Sequence, residues 1–204
     1  MAKKLGMTID LKRCMGCHTC ALGCKMQNNV PMGMLWNRIL TDGGEDVDTA
    51  RGEFPHLHKS WMPLACLHCE NAPCVKVCPV GATYRDEDGR VLINYDRCIG
   101  CRYCMAACPY NVRVFNWQNP VREPGHSYGE APARPKGVME KCTLCVERTS
   151  KGQEPRCVEV CPAKARKFGD LNDPNSDVSQ AIRERGGQQL LAEKGTKPQI
   201  YYLR

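Results

Sequence analysis

The feature that most constrains this chain is the placement of its sixteen cysteines, which fall into four groups of four. The groups are CMGCHTCALGC (14–24), CLHCENAPCVKVC (66–78), CIGCRYCMAAC (98–108) and CTLCVERTSKGQEPRCVEVC (142–161). Every group begins with C-x2-C. Cysteines this close along the chain are poorly placed to form a disulfide with each other, whereas they readily bind one metal centre. The sixteen cysteines are therefore predicted to be metal ligands.

The spacing within the groups favours iron–sulfur clusters over zinc. The first and third groups read C-x2-C-x2-C-x3-C, in which three cysteines bind one 4Fe–4S cluster and the fourth binds a neighbouring cluster. Pro109 completes the bacterial ferredoxin motif, and the second and fourth groups also end in C-x3-C-P. Structural zinc sites usually join two ligand pairs that lie a dozen or more residues apart. A zinc-stabilised binding module is the alternative.

The charge of the chain is consistent with bound clusters. The formal net charge is +7, from 29 basic and 22 acidic residues. Four thiolate-bound clusters, each carrying about two net negative charges, would offset this excess nearly to neutrality. We therefore interpret the basic residues, including Lys25, Arg102 and Lys141 beside cysteines, as counter-charge for clusters and not as a nucleic-acid surface.

Hydropathy predicts a soluble chain. No apolar run approaches the roughly 18 residues of a membrane span. No apolar run precedes the first cysteine group either, so we expect no secretory signal or lipoprotein leader on this chain.

An internal repeat predicts the fold. TIDLKRCMGC (8–17) is similar to LINYDRCIGC (92–101), and CVKVCPVGA (74–82) is similar to CVEVCPAKA (157–165). Each two-cluster ferredoxin lobe needs one copy of each half-motif. A hairpin with its turn at Asp88-Gly89 links the second and third groups closely. We therefore predict an α+β fold of two bacterial-ferredoxin-like lobes, one inserted in the other.

The predicted boundaries follow from this repeat. A short helix is expected over SDVSQAIRERGG, with Ser176 or Asp177 as its cap and Gly186 as its stop, before a closing strand or extended arm. The predicted units are an outer lobe at 1–40 plus 137–170, an inner lobe at 60–112, connecting and docking loops at 41–59 and 113–136, and a partner-contacting C-terminal helix and arm at 171–204.

Exchange of the fourth cysteine between clusters assigns the ligands, with the first group exchanging with the fourth and the second with the third. Sequential pairing, first with second and third with fourth, is the alternative that spacing leaves open. The predicted sets are Cys14, Cys17, Cys20 and Cys161 for cluster 1; Cys24, Cys142, Cys145 and Cys157 for cluster 2; Cys66, Cys69, Cys74 and Cys108 for cluster 3; and Cys78, Cys98, Cys101 and Cys104 for cluster 4.

The order and spacing of the groups, with the phrases CLHCENAPCVKVCP, RCIGCRYCMAACPY, FGDLNDP and GTKPQIYYLR, resemble a known family over nearly the whole chain. It comprises the four-cluster electron-transfer subunits of the dimethyl-sulfoxide-reductase family of molybdopterin oxidoreductases, especially those serving polysulfide, thiosulfate, dimethyl sulfoxide and arsenate reductases. The resemblance implies a molybdopterin (Mo or W) catalytic partner facing cluster 1 and a quinol-linked membrane subunit facing cluster 4. It also implies membrane association through the partner, at the periplasmic face by co-export with a twin-arginine partner or in the cytoplasm.

Two further expectations concern the chemistry. Respiratory nitrate reductases of the same family carry tryptophan at the position of Cys101 and hold a three-iron cluster there, so Cys101 predicts four 4Fe–4S clusters. The sequence has no glycine-rich nucleotide loop, no H-E-x-x-H motif and no spare thiol, so we expect a non-catalytic electron-transfer subunit. A polyferredoxin-type subunit of a hydrogenase or formate dehydrogenase complex is the alternative.

Overall fold

The computed structural model describes residues 3–45, 49–119 and 131–204, which form a mixed α+β fold. The middle of the predicted 113–136 loop, residues 120–130, lies outside the described part. The strands are β1 (Leu5–Asp10), β2 (Arg38–Asp42), β3 (Ser60–Leu64), β4 (Thr83–Arg85), β5 (Val91–Ile93), β6 (Val114–Phe115), β7 (Met139–Glu140), β8 (Arg166–Asp170), β9 (Gln188–Gln189) and β10 (Ile200–Leu203). The helices are α1 (Thr19–Gln27), α2 (Pro73–Lys76), α3 (Tyr103–Ala106), α4 (Val146–Thr149), α5 (Arg156–Glu159) and α6 (Asp177–Arg185), with a 3-10 turn at Ala192–Lys194.

The largest sheet joins the two ends of the described chain. Its strand order is β8-β1-β10-β9, with β1 antiparallel to β8 and parallel to β10. Met7 of β1 is opposite Phe168 on one side and Ile200 on the other. All six residues of β1 are buried, as expected for a strand covered on both faces.

The closing residues form an interior strand and not an extended arm. β10 lies between β1 and β9, because Ile200, Tyr202 and Leu203 are apolar or aromatic and become buried there. The Tyr202 hydroxyl donates to the Pro63 carbonyl at 2.9 Å, which fixes β10 against the end of β3. The C-terminal residues are therefore part of the core of this chain.

Three two-stranded antiparallel sheets complete the described sheets: β2–β3, β4–β5 and β6–β7. The hairpin predicted between the second and third cysteine groups is confirmed as β4–β5. Its turn is closed by the Asp86 carboxylate, which accepts from the Arg90 backbone N–H at 2.7 Å and from Arg90 Nε at 2.6 Å. Gly89 has φ +81, a conformation that glycine adopts without a steric cost.

The predicted C-terminal helix is confirmed as α6. The Ser176 hydroxyl accepts from the Ser179 N–H at 3.3 Å, and Gly186 ends the helix at φ 62. Helix α6 packs against β8, the strand that precedes it in the sequence, and against β1, the strand that precedes the first cysteine group.

The remaining helices are short and belong to the cysteine loops. α1 packs against α5, and α2 packs against α3. Cysteine side chains are themselves part of the apolar core, among them Cys20, Cys66, Cys69 and Cys157. Within the described residues, no helix is long and apolar enough to cross a membrane.

Asp10 ties the end of β1 to α6. Its Oδ1 accepts from the backbone N–H groups of Lys12 at 3.0 Å and Arg13 at 3.3 Å, and the Arg185 guanidinium donates to both carboxylate oxygens. The hydrogen bond from Arg185 is the largest influence holding the pKa of Asp10 below its ordinary value, although burial acts in the opposite direction. The ionised carboxylate therefore stabilises the folded chain.

We predict that Asp10→Asn lowers the free energy of unfolding by about 1–3 kcal/mol at pH 7, as expected for a buried charge-assisted hydrogen bond. Because the folded-state pKa is lowered, this contribution is complete above the unfolded pKa of about 3.9 and is lost as pH falls through the folded pKa. Thermal melts at matched scan rates should show a Tm difference at pH 7 that shrinks below about pH 4. Asp96→Asn, at an exposed position, is the control, and an equal effect of the two substitutions would contradict the prediction.

Candidate iron–sulfur cluster sites

Three internal cavities are each lined by one of the predicted four-cysteine sets, in which three cysteines come from one sequence group and one from another. We number them as sites 1, 2 and 3. Site 1 contains Cys14, Cys17, Cys20 and Cys161; site 2 contains Cys24, Cys142, Cys145 and Cys157; site 3 contains Cys66, Cys69, Cys74 and Cys108. These are the same sets that the spacing assigns to clusters 1, 2 and 3. That each set binds a cluster remains a prediction.

The fourth predicted set, Cys78, Cys98, Cys101 and Cys104, is called site 4. Cys104 is buried, Cys78 and Cys98 are half-buried, and Cys101 is exposed. The Cys104 thiol is close enough to Cys98 and to Cys74 of site 3 for their charges to raise its pKa, although burial is the larger cause. The assembly of all four around one cluster remains a prediction.

The repeat in the sequence is also a repeat in backbone conformation. Gly16 and Gly100, each preceding the second cysteine of its group, have φ 69 and 68. The residues that follow those cysteines, His18 and Arg102, have φ 58 and 63. Such left-handed residues recur at equivalent places in the cysteine loops, and closely spaced ones turn backbone N–H groups into concave anion-binding surfaces. Left-handed residues also follow the three C-P pairs: Gly81, Asn111 and Lys164.

Several buried cysteine sulfurs lie where an ionised thiol is unfavourable unless a cation is bound. Burial, together with neighbouring thiolates, raises the pKa of Cys69 and of Cys157 to about 12. Burial also raises the pKa of Cys24 and of Cys142. A metal centre reverses this penalty, because its positive charge deprotonates the thiols that bind it.

The neighbouring donors suit thiolate sulfur. The Ala165 N–H lies 3.4 Å from Cys161 Sγ, and the Leu144 N–H lies 3.4 Å from Cys142 Sγ. Hydrogen bonds of this kind orient metal-bound thiolates and stabilise their charge. Soft four-sulfur donor sets with such hydrogen bonds fit 4Fe–4S clusters, so the residues present match the implied cofactor.

The sites follow one another in a row. Arg166 lines both site 1 and site 2. Cys66 and Leu67 of site 3 also line the cavity of site 2. Helix α2, which carries Cys74 of site 3, packs against α3, which carries Cys104 of the predicted site 4. The three cavities therefore follow in the order 1-2-3, and the predicted site 4 lies next to site 3.

The basic residues singled out from the sequence have different environments. Lys25 Nζ donates to the carbonyls of Pro31 at 2.5 Å and Met34 at 2.9 Å. Arg102 is exposed, with its guanidinium 4.7 Å from the Trp117 ring centroid. Lys141, in contrast, is buried between sites 2 and 3. Only Lys141 of these three is enclosed by the cysteine sets.

Sequence reasoning missed two buried arginines, Arg113 and Arg166. Each is the fifth residue after the cysteine of a C-P pair, in CPYNVR (108–113) and CPAKAR (161–166). The repetition of C-P-x-x-x-R was the signal that could have identified them.

The fold and the cysteine-lined cavities together define an iron–sulfur protein. Residues 57–123 and 131–171 match the family model described as 4Fe-4S dicluster domain. This match sets aside the interpretation of the chain as a zinc-binding module.

Curated relatives extend over nearly the whole chain. It is 56% identical over 204 residues to the putative dimethyl sulfoxide reductase iron-sulfur subunit of Halobacterium salinarum (97% of this chain, 78% of the relative). It is 40% identical over 232 residues to the arsenate respiratory reductase iron-sulfur subunit of Shewanella sp. (98% and 96%). It is 36% identical over 204 residues to a polysulfide reductase chain of Wolinella succinogenes (100% and 95%).

The chain belongs to the family of iron–sulfur electron-transfer subunits of molybdopterin oxidoreductases of the dimethyl-sulfoxide-reductase type. The predicted family is thereby confirmed. The relatives support the predicted function over the hydrogenase or formate dehydrogenase alternative.

Gly16 provides a test of the loop geometry at site 1. A Cβ atom at Gly16 would lie 2.4 Å from Trp61 Nε1, in addition to the strain of φ +69. We predict that Gly16→Ala displaces the loop between Cys14 and Cys17 and reduces the iron content by about a quarter, the share of one cluster among four. Iron and protein assays of the purified variant measure this loss.

Gly81→Ala is the matched control. Gly81 has φ +60, but a Cβ atom there would meet no atom within 4 Å. The control therefore carries only the backbone strain of about 1–2 kcal/mol and should keep its iron. Equal iron contents in the two variants would show that the close contact with Trp61 does not shape site 1.

Proposed function

We propose that this chain is a non-catalytic subunit that carries four 4Fe–4S clusters and passes single electrons between a molybdopterin (Mo or W) catalytic subunit and a quinol-linked membrane subunit. The observation that carries the proposal is the row of four-cysteine sets, which runs from the exposed Cys17 of site 1 to the exposed Cys101 of site 4. A cubane with four thiolate ligands supplies single-electron transfer and has no open position for bond chemistry.

The proposed ligand sets are those of sites 1 to 4. For sites 1 to 3 they are supported by the cavities that each set lines. We also propose that residues 1–40 with 137–170 form an outer ferredoxin-like lobe, and that the lobe at 60–112 is inserted in it. This division is supported by the packing of α1 on α5, which belong to the first and fourth groups, and of α2 on α3, which belong to the second and third.

The two ends of the row carry exposed apolar side chains. Beside site 1, Met15, Leu22 and Met26 are 55%, 57% and 63% exposed; Leu22 and Met26 lie four residues apart on α1 and so share a face. We call these three the site 1 face. Exposed apolar side chains gathered in this way are typical of interaction surfaces. We propose that the site 1 face contacts the molybdopterin subunit.

Beside site 4, Ile99, Tyr103 and Trp117 are 64%, 65% and 63% exposed, and we call them the site 4 face. The Arg102 guanidinium stacks on the rings of Trp117 and Phe115, so Arg102 adjoins the site 4 face. We propose that this face contacts the membrane subunit. The chain would then be membrane-associated through that partner, at the periplasmic face by co-export with a twin-arginine partner or, as the alternative, at the cytoplasmic face.

The first prediction from this proposal tests the number of clusters and the pairing of the cysteine groups. The isolated chain should contain about sixteen irons and show no strong three-iron EPR signal when oxidised, since Cys101 supplies the ligand that a three-iron site lacks. Cys24→Ser should lose iron from site 2 only. A Cys24→Ser/Cys142→Ser double variant should therefore lose no more iron than either single variant.

The comparison with another site makes this test decisive. Cys24→Ser combined with Cys66→Ser should lose the iron of two sites, because Cys66 lies in site 3. If Cys24→Ser/Cys142→Ser instead loses the iron of two sites and Cys24→Ser/Cys66→Ser the iron of one, sequential pairing of the groups is correct and the proposed sets are wrong.

The second prediction tests the partners. A tagged chain purified from its natural host should retain a subunit that contains molybdopterin with Mo or W, and a membrane subunit. Leu22→Asp should detach the first partner and Ile99→Asp the second, because each places a charge in an apolar contact. Each variant is the control for the other, as both positions are exposed and both folds should be intact. Loss of the same partner from both variants would refute the assignment of the two faces.

A further inference from the structure

Three basic side chains are almost completely buried among the cysteine sets. Arg166, Lys141 and Arg113 are 5%, 1% and 2% exposed. A buried cation is strongly unfavourable unless a negative group lies close to it. Across residues 3–45, 49–119 and 131–204, no carboxylate forms an ion pair with any of the three. Their negative partners must therefore be found among the cysteine sets.

Arg166 lies between sites 1 and 2. One of its terminal nitrogens is 3.5 Å from Cys20 Sγ of site 1 and 3.2 Å from Asn37 Oδ1. Besides burial, which lowers the pKa of Arg166, the charges that act most on it are those of Cys157 in site 2 and Cys20 in site 1, and the net effect is a raised pKa. The same guanidinium lines both cavities.

Arg113 lies between sites 3 and 4. It lines the cavity of site 3, and Nη1 donates to the Thr83 hydroxyl at 3.3 Å. Burial lowers its pKa, whereas the charges of Cys74 in site 3 and Cys104 in site 4 raise it, and the thiolates prevail. Its relation to sites 3 and 4 is that of Arg166 to sites 1 and 2.

Lys141 lies between sites 2 and 3. Its ammonium group donates to the carbonyl of Cys142, a residue of site 2, at 2.8 Å. It also donates to the carbonyl of Val91, which lines site 3. Its charge lowers the pKa of Cys74 in site 3, although burial is the larger influence on that thiol.

We propose that Arg166, Lys141 and Arg113 are a series of fixed positive charges, one at each junction between consecutive cluster sites, and that each raises the reduction potential of the two clusters it separates. The proposal deepens the proposed function and rests on it, since it requires four clusters in the order 1-2-3-4. The three residues are positioning residues that act on the electrostatics of the sites and take no part in bond chemistry.

The physical basis is simple. Each one-electron reduction adds a negative charge to a cluster, and a nearby cation in a poorly polarisable interior stabilises that charge. Net charge and hydrogen bonds to the sulfurs are among the main determinants of cluster potential. A cation placed between two clusters also reduces the repulsion between them when both are reduced.

The decisive experiment counts how many clusters change potential. Redox titrations followed by EPR are run on the cluster-loaded protein. Arg166→Gln and Arg113→Gln should each make reduction at least tenfold less favourable at two clusters, a downward shift of about 59 mV for a one-electron couple. The Arg166→Gln/Arg113→Gln double variant should shift all four. Lys141→Met combined with Arg166→Gln should shift three, because the two junctions share site 2.

Control variants separate charge from structure. Arg166→Lys and Arg113→Lys keep the positive charge and should leave the potentials close to those of the original protein. Arg90→Gln removes another buried arginine, whose charge is already balanced by Asp86 at 2.6 Å and Asp88 at 2.8 Å. This variant should shift no cluster by tenfold.

A variant that keeps Arg166 provides a second test in case Arg166→Gln does not fold. Asn37→Asp conserves the shape of the side chain next to Arg166 and places a carboxylate where the guanidinium now donates to Oδ1. The new negative charge should neutralise Arg166 and lower the potentials of two clusters, as Arg166→Gln does. If Arg166→Gln fails to retain iron, Asn37→Asp decides the case for that junction.

Iron content is measured first, because it distinguishes a failure of the proposed function from a failure of the proposed role of the three cations. Fewer than four clusters in the original protein would overturn the proposed function itself. Four clusters whose potentials are unchanged in the loaded charge-removing variants would overturn only the role of the three cations. A shift of a single cluster, or an equal shift of all four by one substitution, would also overturn it.

Discussion

The structure depends on gathering sixteen cysteine sulfurs, all buried or half-buried except those of Cys17 and Cys101, so that they can bind metal as negatively charged thiolates. The main core cluster combines cysteines with aliphatic residues such as leucine, isoleucine and valine, and the whole sequence has only three phenylalanines and three tryptophans. Charge of this density cannot be buried without nearby positive charge. The basic excess of the sequence, and the burial of Arg113, Lys141 and Arg166 beside the sulfurs, follow from that requirement.

The short helices also depend on the placement of the cysteines. Helices α2 to α5 contain only four residues each, too few to be stable alone. They persist because each is attached to a cysteine loop whose backbone fixes its direction, through a left-handed residue at Arg102 before α3 and at Cys145 before α4. Loss of the metal-binding geometry would therefore remove the reason for the adjoining helix to form.

Local features of the fold could be predicted from the sequence, whereas long-range pairings could not. The Asp88-Gly89 turn and the capping of α6 by Ser176 and Gly186 were visible because each is encoded within a few residues. The position of β10 inside the sheet was not visible, since it depends on pairing Met7 with Ile200. Cysteine spacing narrowed the ligand sets to two possible pairings of the groups, but it could not place the arginine between sites 1 and 2. The location of Arg166 depends on the pairing of β8 with β1, two strands that lie far apart in the sequence.

The main sheet explains how that arginine is held. Arg166 is the first residue of β8 and pairs with Ile9 of β1, the strand that leads into the first cysteine group. Gln199, fully buried just before β10, connects this sheet to the inner hairpin: its backbone N–H donates to the Leu67 carbonyl at 2.9 Å, and its side-chain amide donates to the Gly89 carbonyl at 2.7 Å. These hydrogen bonds fix sites 1 and 2 relative to site 3. Because electron transfer depends steeply on distance, the sheet is best understood as the element that sets the separations within the row.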